Sequence, residues 1–267
     1  MFELPTVSQG SGPDVVLVHG ALGDRRQWDP IAAALATGFR THAVSRRHHW
    51  PGPMPAAGER YTYELHRDDV LALLERLPGP AHLVGHSYGA GVVLLAALQA
   101  PERVRSLTLI EPAFGSLLPE AGAGLAEEKS TRVAALGQVR ALVDAEKHLE
   151  AAEVFIDWVQ GGSGGFARLP ESVRQGLHDN ARTLGPTIAG SQPDVSPASL
   201  RGLRMPSLVV TGEQTRGFYR LIGEVSAAGI PGARFVKLPG CGHMTIVEAP
   251  EAMAALLGGF LSGDTRA

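Results

Sequence analysis

One five-residue segment of the sequence places a serine between two glycines. Residues 85–89 read Gly-His-Ser-Tyr-Gly, which matches the pattern G-x-S-x-G. An apolar run, 81–85, precedes Ser87, and a stretch of helical period, 88–100, follows it. A serine on a tight turn between a strand and a helix exposes its hydroxyl, and the helix N-terminus directs N–H groups at a substrate oxygen. The sequence therefore predicts Ser87 as a nucleophile. The alternative is an ordinary glycine-rich turn between a strand and a helix.

Two other loops carry groups that a nucleophilic serine requires. Residues 19–21 read His-Gly-Ala and end the first apolar run, and residues 239–243 read Pro-Gly-Cys-Gly-His and follow the last predicted strand. The backbone N–H groups of Ala21 and Tyr88 are suited to hold a developing oxyanion. His243 is suited to take the serine proton and return it, with a carboxylate to orient its imidazole.

Regular elements must bring these segments together. Short runs rich in Val, Leu and Ile alternate with stretches of helical period, which predicts an α/β fold with a mostly parallel sheet and helices on both faces. The predicted strands are 14–19, 41–45, 81–85, 104–110, 207–211 and 234–238, and the predicted helices are 31–36, 63–77, 88–100, 219–228 and 250–261. Because the carboxyl ends of parallel strands meet at one edge, we expect the active groups to gather there.

The alternation stops after Glu111-Pro112. From Phe114 to about Arg201 we predict no strand, but apolar residues recur at helical spacing, and Pro170 begins a helix expected to extend to Leu184. The sequence therefore predicts a core domain made of residues 1–113 and 202–267, interrupted by a helical cap insertion over 114–201.

With these motifs and this order of elements, the chain resembles an α/β-hydrolase with a helical cap, similar to small esterases, lactonases and C–C bond hydrolases. The resemblance extends from His19-Gly20 to Gly242-His243. It implies that Ser87 is the nucleophile, that His243 is the base, and that Ala21 and Tyr88 are the oxyanion donors.

The acidic member of the expected triad departs from the commonest family pattern. Many members place an aspartate in a G-x-x-D turn after the strand that follows the cap, but that turn here reads Gly-Glu-Gln-Thr over 212–215. A second arrangement in the family puts the acid after the strand that follows the nucleophile helix, where this chain has Glu111. A carboxylate directly after a buried strand needs a partner, so we predict Glu111 as the acid. Glu213 is the alternative acid, and Glu111 could instead be a hinge residue that reaches solvent or an arginine.

Several residues near these loops are open to two interpretations. Residues 46–50 read Arg-Arg-His-His-Trp: the arginines could grip a carboxylate and Trp50 could wall the pocket, or the segment could be a solvated basic loop. We reject a metal site at the paired histidines, because no third ligand has suitable spacing. We expect His19 to support the Ala21 loop by hydrogen bonding. We expect His86 to pack against a helix, and Cys241 to be a small packing residue within its loop. Further candidate pocket walls, each of which could equally be core, are Phe114, Phe155, Trp158 and Met244.

Composition limits the classes of protein that need to be considered. The 267 residues carry a formal net charge of −3, which gives no reason to expect nucleic acid or an anionic membrane as a partner. The single cysteine excludes an internal disulfide framework. We see no signal sequence and no apolar run long enough to span a bilayer. We expect a cytoplasmic protein with a small-molecule substrate and with neither cofactor nor metal. The sequence leaves open whether the protein forms a homodimer.

Together these observations predict a serine hydrolase. The expected substrate is a small or medium-sized, largely apolar carboxylic ester or lactone, cleaved through an acyl-enzyme. One alternative is a C–C bond hydrolase, or a lyase or cyclase, that uses the same triad. Another is a homologue that binds a ligand without catalysis.

Overall fold

A seven-stranded sheet forms the centre of the molecule. The computed structural model describes residues 2–53, 59–118 and 125–263. Within these ranges the strands are β1 (Thr6–Gln9), β2 (Asp14–Val18), β3 (Arg40–Val44), β4 (Ala81–His86), β5 (Val104–Ile110), β6 (Ser207–Gly212) and β7 (Arg234–Leu238). Their order in the sheet is β1-β3-β2-β4-β5-β6-β7. The strand β1 pairs antiparallel with β3, and every other pair is parallel. The predicted α/β class and mostly parallel sheet are confirmed.

Eleven helices accompany the sheet in the described part of the chain. In order they are α1 (Asp29–Leu35), α2 (Tyr63–Arg76), α3 (Tyr88–Gln99), α4 (Leu125–Asp144), α5 (His148–Val159), α6 (Glu171–Asp179), α7 (Leu184–Ala189), α8 (Pro197–Leu200), α9 (Gly217–Gly229), α10 (Thr245–Glu248) and α11 (Pro250–Leu261). None of these helices is long and apolar enough to cross a membrane.

Two apolar layers cover the two faces of the sheet. Adjacent strand residues point to opposite faces, so Val16 packs with the cluster that includes α2, α3 and α9, while Val15 packs with the cluster that includes α1 and α11. The strands β2 and β4 are buried along their whole length, as strands covered on both faces must be. Because β2, β4, β5, β6 and β7 run parallel, the loops that follow them lie at the same edge of the sheet.

The sequence prediction missed one strand and merged two helices. The strand β1 has only four residues, and its sequence Thr-Val-Ser-Gln has little apolar character because it lies at the sheet edge, partly exposed. The helix expected to run from Pro170 to Leu184 ends at Asp179, and Leu184 begins α7. The break occurs at Asn180, a fully buried residue whose side-chain NH2 donates to Asp24 Oδ2 and to the Gly176 carbonyl.

The helices α4 to α8 follow β5 and precede β6 in the chain. Residues of α4, α5, α6 and α7 form a separate apolar cluster, which includes Val139, Ile156, Leu177 and Leu184. Between Gly161 and Gly165 the chain turns instead of continuing α5, and three of the glycines adopt positive φ. The division into a core domain and a cap over 114–201 stays a prediction.

Candidate active site

Ser87 occupies a sharp turn between β4 and α3. Its φ is 54° and its ψ is −115°, a backbone conformation that residues with a side chain rarely adopt. The flanking glycines make the turn sterically feasible. A Cβ at Gly89 would collide with the carbonyl oxygens of Val18 and His19, and a Cβ at Gly85 would collide with the backbone of Gly89. The strain therefore lies at Ser87, whose side chain faces a cleft instead of the sheet.

Three side chains predicted from the sequence meet in one buried row. His243 Nε2 lies 2.9 Å from Ser87 Oγ, and His243 Nδ1 lies 2.8 Å from Glu111 Oε2. A carboxylate only accepts hydrogen bonds, so Nδ1 must carry the ring hydrogen of a neutral imidazole, which leaves the Nε2 lone pair for the serine hydroxyl. All three residues are buried, Glu111 completely. The arrangement is able to move the serine proton onto His243.

The carboxylate of Glu111 accepts three hydrogen bonds. Oε1 accepts from the Gly212 backbone N–H, and Oε2 accepts from the Thr215 hydroxyl at 2.7 Å as well as from His243. Its own φ is 50°, so the chain turns sharply as it leaves β5. These hydrogen bonds offset the cost of burying the carboxylate. The expected alternative, a side chain that reaches solvent or an arginine, is not what is observed. Thr215, the last residue of the 212–215 turn, therefore donates a hydrogen bond to the glutamate.

Glu213, the alternative acid, lies elsewhere. Its side chain is exposed, and its Oε2 accepts from the Gly240 backbone N–H at 3.1 Å. Glu111 and not Glu213 is therefore the carboxylate beside His243.

The loop of Ala21 is fixed by two buried groups. His19 Nε2 accepts from the Arg46 backbone N–H at 2.9 Å, so His19 Nδ1 carries the hydrogen and donates to the Gly20 carbonyl at 2.8 Å. Arg46 Nη2 donates to the same carbonyl at 2.9 Å. Because this carbonyl belongs to the peptide unit that carries the Ala21 N–H, both bonds fix the direction of that N–H. Tyr88 is the first residue of α3, so its backbone N–H has no acceptor within the helix.

A cleft opens at Ser87 and is walled mainly by apolar and aromatic side chains. Its lining includes four polar residues, Ser87, Arg132, Thr187 and Gln192, and ten others: Ala21, Tyr63, Tyr88, Ala113, Leu136, Phe155, Trp158, Ile188, Phe218 and Tyr219. The helices α4, α5 and α7 supply six of these residues and α9 supplies two. The others, apart from Gln192, lie at the starts of α2 and α3 and in the loops that follow β2, β4 and β5. Such a cleft suits a mainly apolar ligand held by a few polar contacts.

Comparison with known proteins identifies the family. A sequence model of the alpha/beta hydrolase fold matches residues 13–250. The chain belongs to the α/β-hydrolase family. Within it, the chain is 27% identical to carboxylesterase YbfK from Bacillus subtilis, over 94% of this chain and 81% of that protein. It is 28% identical to a pimeloyl-[acyl-carrier protein] methyl ester esterase from Nitrosomonas europaea, over 94% and 96%. A hydrolase structure from Pseudomonas aeruginosa superposes with a TM-score of 0.78 at 26% identity, covering 97% of this chain and 94% of that one. This chain is therefore an α/β-hydrolase enzyme.

Two of the predicted pocket residues of this α/β-hydrolase, Phe155 and Trp158, line the cleft, but three do not. The placement of Trp50 in the pocket is corrected: its ring stacks against Arg26, whose guanidinium carbon lies 3.8 Å from the ring centroid. Phe114 and Met244 are buried in the core, which was the other interpretation of both.

The basic cluster also differs from both interpretations of it. Arg46 is only 1% exposed and holds the Gly20 carbonyl, so it is neither solvated nor in the lining of the cleft. Arg47 forms an ion pair with Asp69. His48 lies 3.6 Å from Glu59, while His49 bonds the Gly23 carbonyl and the Tyr61 hydroxyl. In the described ranges, no group of three or more His, Cys, Asp or Glu side chains is arranged to hold a metal ion.

Two aromatic residues support His243 in ways that the sequence did not indicate. His86 Nε2 lies 2.9 Å from the His243 carbonyl oxygen, to which it donates, so the expected packing of His86 against a helix is corrected. Burial, and the neighbouring His243, lower the pKa of His86 to about 3, which keeps it neutral. The Tyr219 ring lies 3.8 Å from the His243 ring, centroid to centroid. Cys241 is buried, and burial raises the pKa of its thiol, consistent with a packing role.

Proposed function

We propose that this α/β-hydrolase is a serine esterase that cleaves small or medium-sized, largely apolar carboxylic esters or lactones through an acyl-enzyme. The row of hydrogen bonds from Ser87 through His243 to Glu111, beside an apolar cleft, carries this proposal. Relatives named as a carboxylesterase and as a methyl ester esterase support the ester class.

In the first half-reaction, Ser87 Oγ attacks the ester carbonyl carbon while its proton passes to His243 Nε2. Glu111 stabilises the imidazolium that forms, because its carboxylate lies 2.8 Å from Nδ1. The N–H groups of Ala21 and Tyr88 receive the oxyanion of the tetrahedral intermediate. The intermediate collapses, the bond to the alcohol oxygen breaks, and His243 returns the proton to the departing alcohol.

In the second half-reaction, water replaces the alcohol. His243 takes a proton from this water as its oxygen attacks the acyl carbon, and a second tetrahedral intermediate forms. Its collapse releases the carboxylic acid and returns the proton to Ser87. For a lactone, the alcohol and the acid are two ends of one product. Loss of one oxyanion donor typically costs about 10² to 10³ in rate, and loss of the nucleophile costs more.

The test compares turnover of p-nitrophenyl butyrate by Ser87→Ala with turnover by the wild type. We expect a loss of at least about 10⁴ in kcat, since the nucleophile is removed. The matched control is Ser172→Ala, an exposed serine on α6, which should keep wild-type activity. Wild-type turnover by Ser87→Ala would refute the proposal. A wild type inactive on every ester would favour the C–C bond hydrolase, the lyase or cyclase, or the binding homologue.

A further inference from the structure

One positive charge faces the cleft at Ser87. Arg132, on α4, is half-buried and belongs to the lining of the cleft that contains Ser87. Its guanidinium carbon lies 5.0 Å from the centroid of the Phe218 ring, which also lines the cleft. The guanidinium is thus held beside an aromatic wall, where a cation is attracted by the ring face and its planar N–H fork stays available.

The charge of Arg132 has no anionic partner in the part of the chain that the structure describes. A nearby arginine is different: Arg216 Nε lies 3.3 Å from Glu128 Oε2, and its NH groups also reach Thr131 Oγ1 and the Trp158 carbonyl. Arg216 is therefore neutralised by the protein, whereas Arg132 gives the cleft a net positive charge. A half-buried cation beside aromatic side chains keeps its N–H donors available, and an anionic ligand in the cleft would pair with it.

Arg132 interacts electrostatically with two tyrosines that line the cleft. Burial raises the pKa of the Tyr63 and Tyr219 hydroxyls, and the charge of Arg132 opposes this rise at both. A second donor lines the same cleft. Gln192 Oε1 accepts from the Gly115 N–H at 3.0 Å, so the amide NH2 of Gln192 is left to donate elsewhere. A guanidinium and an amide NH2 are the donor types that bind a carboxylate.

We propose that the cleft binds esters that carry a carboxylate on the acyl chain, with this carboxylate paired to Arg132 while the ester carbonyl lies at Ser87. The substrate class is a monoester of a dicarboxylic acid. Its methylene chain packs against the aromatic walls, between the carboxylate at one end and the reacting ester at the other. This inference rests on the proposed esterase function and refines it: the substrate is apolar along its chain but anionic at one end. With a net charge of only −3 for the whole chain, Arg132 and not the overall charge selects the anion.

The test uses two matched substrates, the p-nitrophenyl monoester of adipic acid and its analogue with the free carboxyl group converted to a methyl ester. We expect the wild type to prefer the anionic substrate in kcat/KM. Arg132→Met should lower kcat/KM for the anionic substrate about 10- to 100-fold, mainly through KM, because a charge-assisted contact is lost. For the neutral substrate the loss in kcat/KM should be at least about tenfold smaller, because no charge-assisted contact is removed. Arg132→Lys should restore part of the preference, and Arg140→Met, an exposed arginine on the same helix, should leave it unchanged.

Calorimetric binding of monomethyl adipate to Ser87→Ala separates this inference from the esterase proposal. Arg132-dependent binding without hydrolysis of any ester would leave the anion site standing and refute the esterase. Hydrolysis of both substrates without a preference for the anionic one, or an equal loss for both in Arg132→Met, would overturn the anion site and leave the esterase standing. Absence of both binding and preference overturns the anion site.

Discussion

The substitution Glu111→Gln changes the charge at the centre of the hydrogen-bonded row while keeping its shape. All three partners of Glu111 donate in the wild type, namely the Gly212 N–H, the Thr215 hydroxyl and His243 Nδ1. A glutamine offers one oxygen and one NH2 group to these positions. If its oxygen faces Gly212, the NH2 faces His243. The ring then has to present a lone pair at Nδ1 and a hydrogen at Nε2.

That tautomer is unable to accept the proton of Ser87, since Nε2 already carries one. In the opposite orientation the glutamine NH2 faces the buried Gly212 N–H, so two donors meet without an acceptor. An unsatisfied buried donor costs about 1–3 kcal/mol. The unproductive tautomer is therefore favoured. Replacing a triad acid by its amide typically lowers kcat about 10⁴-fold, equal to about 5.5 kcal/mol at about 1.4 kcal/mol per tenfold. The unfavourable orientation of the glutamine accounts for about 1–3 kcal/mol of this loss. The rest is the lost stabilisation of the His243 imidazolium by a carboxylate.

The assay is kcat on p-nitrophenyl butyrate, with the thermal unfolding temperature measured on each variant to show that it is folded. Glu213→Gln is the matched control, because that carboxylate is exposed and bonds only the Gly240 N–H among the contacts described. We expect its kcat to stay within about threefold of the wild type. A folded Glu111→Gln that kept more than a tenth of wild-type kcat would refute the reasoning, as would a loss of activity confined to Glu213→Gln.

Three other changes have defined outcomes. Ser87→Gly should unfold about 2–4 °C above Ser87→Ala, because it relieves about 1 kcal/mol of strain at a φ of 54°; equal melting temperatures would contradict this. Thr215→Val should lower kcat/KM about tenfold through loss of one hydrogen bond to Glu111, and an unchanged value would show that this bond is dispensable. Acidification should destabilise the fold: His86, with a pKa of about 3, binds its proton less readily than in the unfolded chain, where the value is about 6.5. Stability is thus complete above pH 6.5 and falls towards pH 3, by about 1.4 kcal/mol per pH unit for this histidine, and urea midpoints at pH 7 and pH 5 measure the loss.

The sheet was readable from the sequence because its strands are buried on both faces. Continuous Val, Leu and Ile runs between turn residues leave little ambiguity, and the observed ends of β4 and β5 lie within one residue of the predicted ones. The edge strand β1 lacks that signal, since one of its sides needs no apolar cover. The G-x-S-x-G motif and the family resemblance pointed to Ser87, Glu111 and His243, and the strands fixed their places: each residue directly follows a strand or lies in the loop after it.

The walls of the cleft were less predictable because they depend on how α4, α5 and α7 lie over the sheet edge. Helical periodicity shows which residues avoid water but not which of them face a cleft instead of the core, so Phe155 and Phe114 looked alike. The role of Arg46 in holding the Gly20 carbonyl was not predicted, for a different reason. Arginine is rarely fully buried, and only the tertiary structure brings the His19 and Gly20 carbonyls to it.

Covalent labelling tests the central claim most directly. The protein is incubated with a fluorophosphonate, and intact mass, the modified peptide and residual esterase activity are measured on the same sample. The account predicts one adduct per chain on Ser87, activity lost in proportion to labelling, and no adduct on Ser87→Ala. Full turnover in a completely labelled sample, or an adduct on a residue other than Ser87, would contradict it.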